Sequence, residues 1–262
     1  MGTKTEIEEA RDWQGKLLDC AQCERQSGLM EGRCHLGHAC VHDRYARRID
    51  RFFYWNPGLA KEYLEHPYFE TRAVAAKHVE VFYLSRLIDD PDETVRQSVA
   101  LRLPVKSKHF KQLLRDPHRE VRVRVAERLG PHELSAMIGD DDYFVRQIVA
   151  RRLPPGMLVK MMHDPDTEVR KVVAQRIGGE WLPAMANDPE VRVRLVAVRR
   201  MDPQQLKQLV SDADWQVRYE VASRLDLADL EVMRADPEDN VREMVAQRFA
   251  ESVGDDQLSK TC

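Results

Sequence analysis

Four of the chain's five cysteines fall within the stretch CAQCERQSGLMEGRCHLGHAC, from Cys20 to Cys40. Cys20 and Cys23 form a Cys-x-x-Cys pair, Cys34 follows after ten intervening residues, and Cys40 after five more. A short Cys-x-x-Cys turn can supply two ligands to one metal centre, and four thiolates match either of two centres. One is a cubane iron–sulfur cluster, which takes one Cys per iron. The other is a tetrahedral zinc site of four Cys or of Cys with His, and His35, His38 and His42 stand close by. The spacings after Cys23 fit no standard ferredoxin run, so spacing alone puts the commoner zinc site slightly ahead. Four thiols this close without a metal would be an oxidation hazard. Gly28, Gly32 and Gly37 lie between the cysteines, where backbone wrapping a metal needs permissive dihedrals. His35 and His38 read as donors to cluster sulfur or as exposed loop residues, not as ligands. Cys262 is an isolated terminal residue.

Composition agrees with a metal or redox role for these thiols. With 43% hydrophobic and 32% charged residues, the chain reads as a folded, helix-prone protein. The N-terminal MGTKTEIEEARDWQGK lacks the apolar run of a signal peptide, and no stretch approaches the roughly 20 apolar residues that span a bilayer. A cytoplasmic location is therefore expected, with no membrane partner. Thiols there stay reduced, so metal binding is favoured over disulfides.

The elements that must position this group announce themselves as a repeat. Asp90, Asp116, Asp140, Asp164, Asp188, Asp212 and Asp236 are separated by one step of 26 and five of 24 residues. Six residues after each stands an arginine, Arg96, Arg122, Arg146, Arg170, Arg194, Arg218 or Arg242, and Arg72 marks an earlier copy that begins at His66. Eight copies of a fixed period indicate a solenoid, in which each unit buries its apolar face against its neighbours. Val95, Val99, Ala100 and Leu103, with their equivalents, form one helical stripe about 140° wide. The Asp column reads as the helix N-cap, often followed by Pro at the first helical position, as in Asp90-Pro91 and Asp164-Pro165. Connectors of about ten residues carry apolar pairs three apart, such as Leu158 with Met161, which suits one turn of 3₁₀ helix.

Two arginine columns could grip phosphate, and both have a structural reading. Arg96 and its equivalents fall in the middle of the apolar stripe and need an anionic partner, for which the aspartate of an adjacent unit is at hand. Arg102, Arg128, Arg152, Arg176, Arg200, Arg224 and Arg248 lie at the stripe's edge, where a stem covers apolar surface while the head reaches water. The net charge of −3 argues against a dedicated nucleic-acid binder. One variable column, Ala73, Gln97, Val123, Gln147, Lys171, Leu195, Tyr219 and Glu243, is expected to face outward. Leu195 and Tyr219, with Trp215 nearby, are its candidate anchors for a protein partner.

The Asp followed by Val-Arg resembles the second helix of HEAT-type repeats, but the first long helix of such repeats is missing. The closer resemblance is to the leucine-rich repeat variant family, on the 24-residue period from about His66 to Phe249 and the cysteine group ahead of it. That resemblance implies an all-α, right-handed superhelical solenoid of about eight repeats of α and 3₁₀ helix. It also implies a small N-terminal module holding a [4Fe-4S] cluster on Cys20, Cys23, Cys34 and Cys40, in place of the zinc alternative. The expected layout is a cysteine-rich module at 1–45, an aromatic-rich capping segment at 46–65, the repeats at 66–250 and a polar tail at 251–262. Ten of the 18 aromatics lie between Tyr45 and Tyr83, where they would cover the solenoid's first end. No nucleophile and base pair, phosphate loop or acid dyad stands out, so no enzyme is expected. The expected function is a scaffold that binds a protein partner on the solenoid surface, its cluster structural or redox-sensing. Electron transfer to a docked partner and nucleic-acid binding are the alternatives.

Overall fold

The computed structural model describes residues 10–259, with residues 253–259 described as backbone alone, so Cys262 lies outside the described residues. The chain is helical and forms two compact units, one ending at Gly130 and one beginning at Pro131. Among the described residues no strand forms, and no helix is long and apolar enough to cross a membrane.

Ten-residue helices recur through both units. In the first they are Ala46–Trp55, Phe69–His78, Glu93–Arg102 and Arg119–Arg128; in the second, Tyr143–Arg152, Thr167–Arg176, Val191–Arg200 and Trp215–Arg224. The last helix, Asp239–Ser259, runs on into the stretch expected to be a tail. The Ala46–Trp55 helix is followed by the 3₁₀ helix Pro57–Tyr63, so the capping segment is itself built like a repeat. Its apolar column is aromatic: Phe52, Phe53 and Tyr63 are buried with edge-on ring contacts. Tyr54 and Trp55 stay exposed.

The helices start later than the Asp column implied. Helix Glu93–Arg102 is capped by Asp92, whose carboxylate accepts from Thr94 N at 2.8 Å, and Asp142, Asp166 and Asp214 cap their helices likewise. The column of Asp90 lies two residues upstream, where its carboxylate accepts the N–H of residue i+2 (Asp92 N, 3.0 Å) in an Asx turn. The following Pro therefore precedes the cap. A carboxylate that turns the chain before the cap is free to bond outside its own unit.

It does so through the first arginine column. Arg96 donates Nε to Asp116 Oδ2 at 2.7 Å and an Nη to Oδ1 at 3.0 Å, and its other Nη to the carbonyl of Asp90 at 2.7 Å. Arg72 pairs in the same way with Asp90 in the first unit. Arg146 with Asp164, Arg170 with Asp188, Arg194 with Asp212 and Arg218 with Asp236 continue the pattern in the second. Each guanidinium holds its own repeat's turn and the next repeat's carboxylate together. These bidentate pairs are buried at Arg96, Arg146 and Arg218 and part-buried at the others, with the hydrogen bonds that a desolvated ion pair needs.

The second arginine column bonds to backbone, even where the residue is exposed as at Arg200. Arg102 donates to the carbonyls of Ala76 (2.7 Å) and Val79 (2.6 Å), and Arg176 to those of Ala150 and Leu153. Arg200, Arg224 and Arg248 repeat this on the helices before them. The last carbonyls of a helix have no partner inside it, and a cation there also suits the helix dipole. One column thus ties each repeat forward and the other ties it back.

The connectors exceed one turn. Val81–Leu87, Pro155–Met161 and Pro203–Leu209 are seven-residue 3₁₀ helices, while Lys108–Arg115, Pro131–Met137, Gly179–Met185 and Leu227–Met233 mix a short α segment with 3₁₀. Their apolar pairs, such as Leu158 with Met161, are buried as expected. The variable column is not an outer strip: Ala73, Val123 and Gln147 are buried, because that angle faces the neighbouring helix as well as solvent.

Candidate metal centre

The segment carrying the cysteines has little regular structure. It contains one five-residue helix, Gln26–Met30, with no buried residue. That helix ends in a Schellman motif, Gly32 N–H to Leu29 O (3.2 Å) and Arg33 N–H to Gly28 O (2.7 Å), with Gly32 at φ +68°. A tight loop follows, closed by two bonds between His35 and Ala39 and turned by Gly37 at φ +69°. These two glycines meet the expectation of unusual dihedrals. Gly28 keeps an ordinary φ, and a side chain there would touch Cys34 Sγ only at normal contact distance, 3.7 Å.

The two turns bring Cys20, Cys23, Cys34 and Cys40 to the wall of one pocket. Leu29, Leu36, Ala39, Val41 and Phe52 supply its apolar lining. Among the described residues, no three His, Cys, Asp or Glu side chains converge tightly enough to hold a single metal ion. Four thiols around one space supply the one Cys per iron that a polynuclear core takes.

The electrostatics favour a positively charged occupant. Burial, then Cys23 and Asp19, push the Cys20 thiol up; burial, then Cys20 and Cys23, do the same for Cys34. Cys40 is pushed up to about 12, chiefly by burial and then by Asp43 and the other thiols, against the lowering effect of the His42 N–H on its sulfur. Such thiols become thiolates only when a cation compensates them, and metal binding then releases their protons. Donors to the sulfurs are in place, since Arg25 N–H reaches Cys23 Sγ at 3.4 Å in addition to the His42 bond. The donor set therefore fits an iron–sulfur cluster.

The module is fastened to the first helical pair by residues the spacing of the cysteines did not reveal. Arg25 donates to Tyr63 Oη at 2.9 Å and pairs with Glu62. The buried Asn56 donates to Arg33 O at 2.7 Å and to Phe52 O at 2.9 Å. Trp13 stacks on Tyr68, and Tyr68 Oη donates to Arg44 O at 2.9 Å. A CxxCxR pattern and an Asn after an aromatic run carry no recognised signal, so only the fold identifies these contacts. His35 lines the cysteine pocket, His42 lines it half-buried beside Glu24, and His38 lies just outside it, bonded to Arg51.

Leu195, Tyr219 and Trp215 lie in the second unit and line a surface groove together with Arg199, Gln216, Glu220 and Asn240. Trp215 is 40% and Tyr219 36% exposed. Members of both arginine columns bond to carboxylates and carbonyls of the chain itself.

Comparisons with known proteins agree with this geometry. Residues 10–62 match the family model described as LRV protein FeS4 cluster, and residues 143–166 the model described as leucine rich repeat variant. An uncharacterized 27.7 kDa protein in the nifB 3′ region of Rhodobacter capsulatus is 53% identical over 96 residues, 37% of this chain and 39% of that one. The match thus spans well under half of that relative's length. A solved protein described as a leucine-rich repeat variant with a novel repetitive protein structural motif superposes with a TM-score of 0.81 at 43% identity, over 88% of this chain and 98% of that chain. With its repeats, its stitched arginine columns and its cysteine module accounted for, the chain belongs to the leucine-rich repeat variant family and is an iron–sulfur-cluster-binding repeat protein.

Proposed function

We propose that this protein is a non-enzymatic interaction scaffold whose N-terminal module holds a [4Fe-4S] cluster on Cys20, Cys23, Cys34 and Cys40, as a structural or redox-sensing element. The groove at Leu195, Trp215 and Tyr219 carries the scaffold reading, because exposed aromatic groups there serve no packing that the repeats require. A protein partner fits such a groove. When bound, the cluster supplies one-electron chemistry and the charge that keeps four thiolates together. Cys23 and Cys40 would hold it through sulfurs that also accept backbone N–H bonds, while Phe52 and Leu29 keep water from the inner wall.

Electron transfer is the second reading, and one observation favours it. Cys20, Cys23 and Cys40 also line a wider surface pocket with Asp19, Glu24 and His42, so one side of the site opens outward.

The test is anaerobic purification with analysis of iron, sulfide and zinc, followed by capture of partners from native extract. About four irons and four sulfides per chain are expected, and about one zinc with no iron would overturn the cluster. A Leu195→Glu, Tyr219→Glu double variant that stays folded should lose the captured partners. An unchanged partner set would exclude this groove.

A further inference from the structure

We propose that a basic and aromatic face at the lip of the cysteine pocket docks an acidic one-electron carrier protein; this rests on the reading that the four cysteines hold an iron–sulfur cluster. Residues 33–55 contain five arginines and two aspartates, a local excess of three positive charges in a chain whose formal net charge is −3. The fold gathers much of that excess on one surface. Arg47, Arg51 and Trp55 follow one another at four-residue spacing on the Ala46–Trp55 helix, so they share a face. Arg51 donates to the ring Nδ1 of His38 at 2.9 Å and to its carbonyl at 2.7 Å, which lays the cysteine loop against that face. The His38 ring centre is 5.8 Å from those of both His35 and Trp55.

His35 and Leu36 are also wall residues of the pocket that holds all four cysteines. Leu36 is 42% and Trp55 38% exposed, so apolar surface lies between the arginines and the pocket. Of the carboxylates nearby, Glu31 pairs with Arg33, Asp50 with His78 at 2.9 Å and Asp43 with Arg48 at 2.9 Å, while Asp19 and Glu24 line the other opening of the cysteine site. Arg47 and Arg51 are left as the excess charge.

An apolar and aromatic centre beside a few like charges is the arrangement of a protein docking site, in which complementary charge steers encounter and sets orientation. Nucleic acid would call for a longer basic track without interleaved carboxylates. The chemistry behind the lip selects the partner's class. One electron leaves the carrier's reduced centre, which is oxidised, and enters the cluster, which is reduced; no bond forms or breaks.

The test uses the cluster-loaded full chain and isothermal calorimetry, with a strongly acidic [2Fe-2S] ferredoxin as probe and cytochrome c as a basic control. The ferredoxin should bind and cytochrome c should not. Its affinity should fall about tenfold or more between low and physiological ionic strength, as screening requires. Arg47→Glu, at an exposed site, should weaken binding about tenfold, and Arg47→Glu with Arg51→Glu further, while Arg151→Glu, exposed in the second unit, should leave it unchanged. Stopped-flow reduction of the cluster by the reduced ferredoxin should slow in the same order. No ferredoxin binding, binding that Arg47→Glu does not move, or displacement of the ferredoxin by a single-stranded DNA oligomer would each overturn the proposal. Protein that carries no iron would instead overturn the cluster reading.

Discussion

The cysteine module and the repeats solve the same problem by opposite means. A repeat helix such as Glu93–Arg102 buries five of its ten residues, and the guanidinium of its Arg96 makes at least three bonds to neighbouring chain. Between residues 10 and 44 only Ala10, Ala39, Val41 and Asp43 are buried. The repeats are stable because every unit meets copies of itself, so the same contacts recur and no single one decides the fold. The module has no such redundancy. Its order rests on two tight turns, a few bonds to the first helical pair and whatever joins its four thiols.

Removing the cluster should therefore produce the largest effect and confine it. Chelation of iron, or Cys34→Ser, is expected to abolish the visible absorption. Amide-exchange protection should then collapse in residues 20–42 and fall in the Ala46–Trp55 helix, whose Phe52 and Asn56 face the module. Protection in the second unit should be unchanged, since a site that folds around its metal takes only its own contacts with it. Uniform loss of protection across both units would show that the module governs the repeats, and no loss anywhere would show that it folds without a cluster.

The same contrast explains what could be read in the sequence. Repetition makes structure legible: the Asp and Arg columns identify the ladder because each appears many times, and the pairing recurs from Arg72 with Asp90 to Arg218 with Asp236. Local geometry within a unit was harder. The Asp column looks like a cap because Asp-Pro is common at helix starts, yet Asp92, Asp142, Asp166 and Asp214 take that role and free the earlier aspartate for the next repeat. Gln147 falls outside the apolar stripe on a helical wheel, but a wheel describes one helix in isolation, and in the fold this side chain is buried. In the module, the thiols were visible as a group, whereas the contacts of Arg25 and Asn56 join segments 23–38 residues apart and leave no local pattern.

A sharper test of redundancy compares one rung of the ladder with an exposed position. Arg146→Ala leaves Asp164 buried without its bidentate partner and the carbonyl of Asp140 without its guanidinium donor. It should cost about 3 to 5 kcal/mol. Arg151→Ala, one residue from the helix end and exposed, should cost about 0.5 kcal/mol or less. Arg176→Ala, which strips the carbonyls of Ala150 and Leu153 of a charged donor, should fall between them at about 1.5 to 3 kcal/mol. Denaturant unfolding of the four proteins provides the ranking. Equal midpoints for Arg146→Ala and Arg151→Ala would mean that neighbouring rungs compensate for a lost one.

The smallest effect concerns how the ladder responds to acid. The hydrogen bond from Arg218 holds the Asp236 carboxyl below its ordinary value, opposed by burial and assisted by the Glu238 N–H and by the charge of Arg242. A carboxylate whose folded pKa is depressed contributes stability above its unfolded pKa of about 3.9, and that contribution is lost as pH falls through the lower folded value. Near neutral pH, Asp236→Asn should cost about 2 kcal/mol, the loss of a charged hydrogen-bond acceptor. Below about pH 4 the gap between wild type and Asp236→Asn should narrow, because the wild-type carboxyl then becomes neutral as well. The measurement is urea unfolding of both proteins at neutral pH and at successive acid values. A gap that stays constant down the series would mean that the pair contributes through shape rather than charge. In that event the last rung would resemble the aromatic packing of the first unit more than the ion pairs that precede it.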